Sequence, residues 1–137
     1  MNYTEPLKPF VIISASRAAW SAEANADSTR QLASQLLARD FKITQVRGSY
    51  GGIEEDSFLV LCDPVTQDYE FGMLTQLAER YGQESLLLGD AFRNASLWYE
   101  ADGRTVALPG KFQAVDSVTA HKLGNWTRRE GQYYAVL

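Results

Sequence analysis

The chain has only one histidine and one cysteine among its 137 residues, and this scarcity removes several classes of enzyme. With His121 alone it cannot form a two-histidine metal site or an HExxH helix. With Cys62 alone it cannot close an internal disulfide or build a CxxC redox or zinc motif. We therefore expect neither a conventional metalloenzyme nor a thiol redox enzyme.

Positive charge and long apolar runs are also scarce. The chain carries 13 Lys and Arg against 17 Asp and Glu, whereas binding to a nucleic-acid backbone favours a basic surplus. The apolar run at residues 10–13 is too short for a membrane-spanning helix or a signal peptide. Residues 1–9 contain two prolines and are interpreted as a flexible lead-in. We expect a soluble cytoplasmic protein with a single domain over residues 1–137, without nucleic-acid or membrane partners.

Common nucleophile and phosphate motifs are absent from the sequence. It contains no GxSxG elbow, no Walker A sequence and no GxGxxG. The glycine-rich stretch at residues 48–52 lacks the lysine and the strand-to-helix context of a phosphate loop. Any chemistry must therefore come from other groups.

Hydrophobic periodicity over the first 90 residues predicts the order β-α-β-β-α-β. Strands are expected at residues 10–14, 42–50, 57–62 and 85–88, and helices at residues 21–39 and 68–80. Ser21 is expected to cap the first helix and Gly82 to end the second. A hairpin with strands at residues 95–100 and 105–108 and a last strand at residues 132–137 follow. This order predicts an α+β fold: a two-layer, ferredoxin-like sandwich with both helices on one face of an antiparallel sheet.

Two of the predicted strands are apolar at consecutive positions, at residues 58–61 and 86–88. This pattern indicates that both of their faces are buried. The helices of a two-layer sandwich cover only one face of the sheet. The other face would be covered by oligomerisation or by the C-terminal hairpin folding over it.

The most concentrated charge in the chain is the acidic cluster at residues 54–56. Such a cluster is most often a solvated loop. Strand alternation, however, places Glu55 and Ser57 on one face and Glu54 on the other. Tyr50 lies across the glycine turn and can direct its hydroxyl towards the same region.

Three further polar residues lie next to predicted strand ends. Gln83 and Glu84 precede the strand at residues 85–88, where they form either a polar loop or a second carboxylate and amide of a site. Arg17 follows the first strand, where it can bind an anion or pair with a surface carboxylate.

Several segments, in this order, resemble those of the bacteriophage enzymes that degrade S-adenosylmethionine (SAM), the SAM lyases once described as SAM hydrolases. The matching segments are VIISASR at residues 11–17, Asn25 and Arg30, Gly48-Ser49-Tyr50, Glu54-Glu55, Gln83-Glu84, and LPGKFQ at residues 108–113. Each segment alone is weakly specific, whereas the whole series in the same order is moderately specific.

The resemblance implies a cofactor-free, PII-like homotrimer with active sites between subunits. It implies cleavage of SAM to 5′-methylthioadenosine and L-homoserine lactone by the substrate's own carboxylate, which depletes host SAM and counters restriction. The residues it implies are Tyr50 and Glu55 as catalytic groups, with substrate bound by Ser14, Arg17, Glu54, Gln83 and Glu84 and no metal. The stretch between Tyr50 and Glu55 is shorter than in the family, so Glu54 can replace Glu55.

Three other functions remain open at this point. A hydrolase would use Glu55 as a base that activates water, and would release homoserine directly. A non-catalytic, PII-like trimer would bind a nucleotide-like ligand, although carboxylates suit a cation better than a phosphate. A small phage protein could also inhibit a host enzyme by direct contact.

Overall fold

A computed structural model describes residues 8–137, and strands dominate this part of the chain. Its eight strands are β1 (Phe10–Ser14), β2 (Lys42–Tyr50), β3 (Ile53–Leu61), β4 (Ser85–Gly89), β5 (Asn94–Tyr99), β6 (Thr105–Val115), β7 (Trp126–Arg129) and β8 (Gln132–Val136). Its three helices are α1 (Ala22–Ala38), α2 (Gln67–Arg80) and α3 (Ser117–Leu123).

The strands form a closed barrel in the order β1-β3-β2-β7-β8-β6-β5-β4, with β4 pairing back to β1. All neighbouring strands are antiparallel. The predicted ferredoxin-like two-layer sandwich is therefore wrong. The predicted open sheet would have β2 and β4 as its edge strands. In the structure β7 pairs with β2, β5 pairs with β4, and β8 and β6 connect them, so no edge strand remains.

The barrel closes through two segments that the sequence pattern did not predict as strands. Strand β6 has 11 residues, because it continues through Pro109 and Gly110 instead of ending at Leu108. Its first part pairs with β5, and its second part pairs with β8. Gly110 makes this bend at φ +128°, and a Cβ there would lie 2.7 Å from the backbone carbon of Leu137. Strand β7 occupies part of the stretch that was interpreted as a polar loop.

Alternate residues of the strands supply two apolar cores. Outside the barrel, leucines of α1 and α2 such as Leu32 and Leu74 pack against outward residues of β1, β3 and β4 such as Val60. Inside it, Leu59 and Leu87 belong to a second core, whose other members include Ile12, Phe112 and Tyr134. The predicted burial of both strand faces is confirmed, and the C-terminal strands of the same chain provide the cover. The prediction of a PII-like architecture is wrong together with the ferredoxin-like sandwich, because the strands close into a barrel.

Helix ends follow the predicted local signals, with one helix missed. The Ser21 hydroxyl accepts from the Ala24 amide at 3.1 Å and begins α1, and Gly82, at φ +69°, follows α2. The unpredicted α3 begins with Asp116, whose carboxylate accepts from the Thr119 amide at 2.7 Å, and ends at Gly124 in the left-handed conformation. These two caps were the available signal for α3, which is too short to show a clear hydrophobic stripe.

The predicted lead-in falls partly outside the described residues, since positions 1–7 are not among them. Pro9 itself is buried, and its carbonyl accepts from the Cys62 amide at 2.8 Å. Within residues 8–137, no helix has the length and apolar character needed to cross a membrane.

Candidate active site

A cavity of about 800 Å³ opens at one end of the barrel and extends into its interior. This volume falls within the range of small-molecule sites, roughly 300–1,000 Å³. Its inner wall is apolar and includes Ile12, Leu87, Leu97, Leu108, Phe112 and Tyr134. Its polar groups come from the β1–α1 loop, the β2–β3 hairpin, the α2–β4 loop and the α3–β7 loop.

Tyr50 and Glu55 both line this cavity because of the β2–β3 register. Gly48 pairs with Glu55, and Tyr50 pairs with Ile53 across the turn at residues 51 and 52. Alternate residues of antiparallel strands share a face, so Tyr50, Glu55 and Ser57 all face the barrel interior. The predicted alternation of Glu55 and Ser57 against Glu54 is the one observed.

Tyr50 is 40% exposed and lines the cavity. The ring lies over Gly48, where a Cβ would be 3.4 Å from its Cε2 atom. Burial and the nearby charge of Glu55 raise the pKa of Tyr50 to about 12, against the smaller effect of a hydrogen bond with Thr127. The phenol is therefore neutral at physiological pH and can donate a hydrogen bond.

Glu55 is a half-buried carboxylate on the cavity wall. Its burial raises the pKa of the carboxyl group, while the Ser14 hydroxyl and the charge of Arg47 lower it. In the structure that hydroxyl donates to the Asp56 carbonyl at 2.9 Å and accepts from the Ser16 amide at 3.0 Å. Because burial affects this pKa more than these two neighbours do, their interactions do not fully offset the free-energy cost of burying the ionised carboxylate.

Glu54 lies on the opposite face of β3 and is not among the residues that line the cavity. Its carboxylate is 3.5 Å from Nε of Arg47, whose Nη1 donates to Asp56 at 3.0 Å. These two carboxylates raise the pKa of Arg47. The structure thus separates the two candidate glutamates and brings only Glu55 to Tyr50.

The other predicted binding residues gather at the cavity mouth. Gln83 donates from Nε2 to the Ser16 carbonyl at 3.0 Å, and exposed Glu84 adds a second carboxylate to the lining. Arg17 also lines the mouth, with its guanidinium carbon 5.1 Å from the centre of the Trp20 ring. Asn25 holds the Arg17 backbone through two hydrogen bonds of 2.8 and 3.0 Å. Ser14, Arg17, Tyr50, Glu55, Gln83 and Glu84 therefore share one cavity.

The sequence interpretation missed the contribution of the α3–β7 region to this cavity. Leu123, Asn125, Trp126 and Thr127 all belong to its lining. They fall in the stretch interpreted as a polar loop, where only the Asp116 and Gly124 caps indicated structure.

The single histidine and the single cysteine lie outside this cavity lining. Nδ1 of His121 is 2.7 Å from the Ser117 carbonyl, and the ring centre lies 5.6 Å from that of Trp126. Cys62 borders a separate cavity of about 260 Å³, and burial raises its thiol pKa to about 12. In the part of the chain that the structure describes, no cluster of three His, Cys, Asp or Glu side chains could hold a metal ion.

The arrangement suits a small cationic molecule with an apolar portion. A partly desolvated carboxylate attracts a cation, neutral hydroxyls orient polar groups, and the apolar interior excludes water. A search of curated protein sequences returns no significant match. The sequence model of the S-adenosylmethionine lyase family matches residues 11–137, nearly the whole chain, and this confirms the predicted family and SAM as the substrate. The chain belongs to the S-adenosylmethionine lyase family and is an enzyme of that class.

Proposed function

We propose that the enzyme converts S-adenosyl-L-methionine to 5′-methylthioadenosine and L-homoserine lactone. A carboxylate oxygen of the substrate attacks its own Cγ, and the Cγ–S bond breaks with its electron pair passing to sulfur. The sulfonium becomes a neutral thioether, the carboxylate becomes the lactone ester, and the substrate ammonium is unchanged. No proton transfer and no protein nucleophile are needed.

The observation that carries this proposal is the Glu55 carboxylate, which lines the same cavity as Tyr50 and whose pKa is raised there by burial. In free SAM the ammonium and carboxylate attract each other. Glu55 binds the ammonium and so releases the substrate carboxylate to turn towards Cγ. A cation bound next to Glu55 also offsets the free-energy cost of burying the negative charge of Glu55.

The apolar cavity interior favours the same reaction. Attack cancels a negative charge against a sulfonium, so water stabilises the separated charges of the reactant more than the transition state. Removing water raises the free energy of the reactant relative to the transition state. Holding the substrate in the folded conformer adds to this effect, since intramolecular positioning can supply roughly 7–11 kcal/mol.

The remaining residues of the cavity bind and orient the substrate in this proposal. The neutral Tyr50 hydroxyl donates a hydrogen bond to the amino-acid portion, or its ring faces the sulfonium. Ser14, Gln83 and Glu84 provide further polar contacts, and Arg17 borders the entrance. Glu54, which is held by Arg47 on the other face, takes no part.

The test uses purified protein, SAM and decarboxylated SAM, which has the same sulfonium and adenosine but no carboxylate. We expect SAM to yield methylthioadenosine and, at early times, homoserine lactone, while decarboxylated SAM binds and stays intact. A direct hydrolase would use water as its nucleophile, so it could cleave both compounds and would release homoserine first. Cleavage of decarboxylated SAM at a comparable rate would refute the internal nucleophile.

We also propose that the enzyme is a homotrimer with its sites between subunits. Two apolar side chains at the cavity mouth support an interface there, because Ile53 is 57% exposed and Leu123 is 41% exposed. Light scattering should give a trimer mass for the native protein. Ile53→Glu should give monomers with lower turnover, whereas a monomeric wild type that is fully active would contradict the proposal.

We further propose that the enzyme is encoded by a bacteriophage, acts in the cytoplasm of the host and lowers SAM available to restriction enzymes. The resemblance of the segments described above to phage enzymes supports this role. Expression in bacteria should lower intracellular SAM and raise plating of unmodified phage on a host with SAM-dependent restriction. A Glu55→Gln variant expressed at the same level should do neither, and unchanged plating despite SAM loss would contradict the anti-restriction role.

A further inference from the structure

The hairpin that carries Tyr50 is held on both sides of that residue by the segment that joins α3 to β7. The Ser49 hydroxyl donates to the Gly124 carbonyl at 3.3 Å. The Gly51 amide donates to Oδ1 of Asn125 at 3.0 Å. The backbone on either side of Tyr50 is thus tied to residues more than 70 positions later in the chain.

Thr127, on β7, lies next to the same hairpin inside the cavity. It pairs with Gly48 across β2 and β7, and its residue is only 3% exposed. Since the Tyr50 ring lies over Gly48, the strand partner of Thr127, its hydroxyl end is directed towards the side chain of Thr127 inside the barrel. Both residues line the cavity.

We propose that Thr127 is a positioning residue of the reaction, which holds the Tyr50 hydroxyl in the orientation that binds substrate. This inference rests on the proposed role of Tyr50. The β-branched side chain of Thr127 has few rotamers in a strand, so its hydroxyl offers a fixed partner. The Tyr50 ring is partly exposed and is attached through two rotatable bonds, so without that partner it has room to turn outward.

The test compares two substitutions at Thr127 that differ in the hydroxyl group. Thr127→Val keeps the branched shape and removes the hydroxyl, and we expect kcat to fall about fivefold, the effect of one net hydrogen bond. Thr127→Ser keeps the hydroxyl and should restore most of that loss. Thr105→Val, at an exposed position of β6, is the matched control and should leave kcat unchanged. Melting curves of all three variants check that the fold persists.

A double-mutant cycle with Tyr50→Phe separates positioning from a general structural effect. If Thr127 acts through the Tyr50 hydroxyl, then Thr127→Val should have no further effect on kcat in the Tyr50→Phe background. Additive losses, or a loss in Thr127→Val that Thr127→Ser does not restore, would overturn the inference.

The same cycle distinguishes this inference from the proposal beneath it. An impaired Tyr50→Phe variant with a fully active Thr127→Val variant refutes the positioning role of Thr127 and leaves Tyr50 in place. A fully active Tyr50→Phe variant refutes the roles of both residues.

Discussion

Replacing Glu55 by Gln removes the negative charge from the cavity while it keeps the shape of the side chain. In the proposed mechanism this charge binds the substrate ammonium and frees the substrate carboxylate. At about 4 Å and an effective dielectric constant of about 20, an ion pair contributes about 4 kcal/mol, and a hydrogen bond to a charged group about 1.5–3 kcal/mol. A loss of about 2–4 kcal/mol lowers kcat/KM by about 30- to 1,000-fold.

The same substitution should not destabilise the protein. Burial raises the pKa of Glu55 above its ordinary value of 4.5, so the folded state holds the carboxyl proton more tightly than the unfolded state. Ionised Glu55 therefore costs folding free energy, and this cost develops as the pH rises above about 4.5 towards the folded-state pKa. Gln cannot ionise, so the variant should gain stability relative to the wild type across this window and show no such gain below it.

Glu54→Gln is the matched control because the two glutamates are adjacent in sequence and lie on opposite faces of β3. The control loses only a partly exposed contact with Arg47, an interaction worth about 0–1 kcal/mol. The assay measures methylthioadenosine release at several SAM concentrations, together with thermal unfolding at pH 4 to 8. A Glu55→Gln variant that keeps kcat/KM within twofold, or an equal loss in Glu54→Gln, would refute the assignment.

Two further predictions concern the barrel itself. Gly89→Ala places a methyl group against the buried Phe10 ring and should lower the free energy of unfolding by about 1–3 kcal/mol in urea titrations. Gly72→Ala, at an exposed position of α2 with open space around it, should raise the free energy of unfolding by about 0.5–1 kcal/mol. Equal effects of the two substitutions would contradict the close packing of Phe10 on Gly89. Cys62 should resist a thiol reagent at pH 8 until denaturant is added, because burial raises its pKa to about 12, and rapid labelling of the native protein would contradict this.

The sequence predicted those features that rest on local periodicity and on end signals. The strand Phe10–Ser14, the Ser21 cap and the opposite faces of Glu54 and Glu55 all follow from alternation and capping over a few residues. The sequence also predicted that Tyr50 and Glu55 face the same region, and both line one cavity in the structure.

Closure of the barrel depends on contacts that no local pattern contains. Pro109 and Gly110 are typical of a strand end, yet β6 continues through them because its second part finds a new partner in β8. Strand β7 has four residues, too few for its alternation to stand out. Because this region was interpreted as a loop, the position of Thr127 in the same cavity as Tyr50 could not be predicted.

The most direct test of the mechanism follows the oxygen of water into the product. Cleavage of SAM in ¹⁸O-labelled water should give unlabelled lactone first. When that lactone later opens by attack at its carbonyl, the label should enter the carboxyl group of homoserine and leave the γ-hydroxyl unlabelled. Label in the γ-hydroxyl, located by fragmentation in the mass spectrometer, would mean that water attacks Cγ and would contradict attack by the substrate carboxylate.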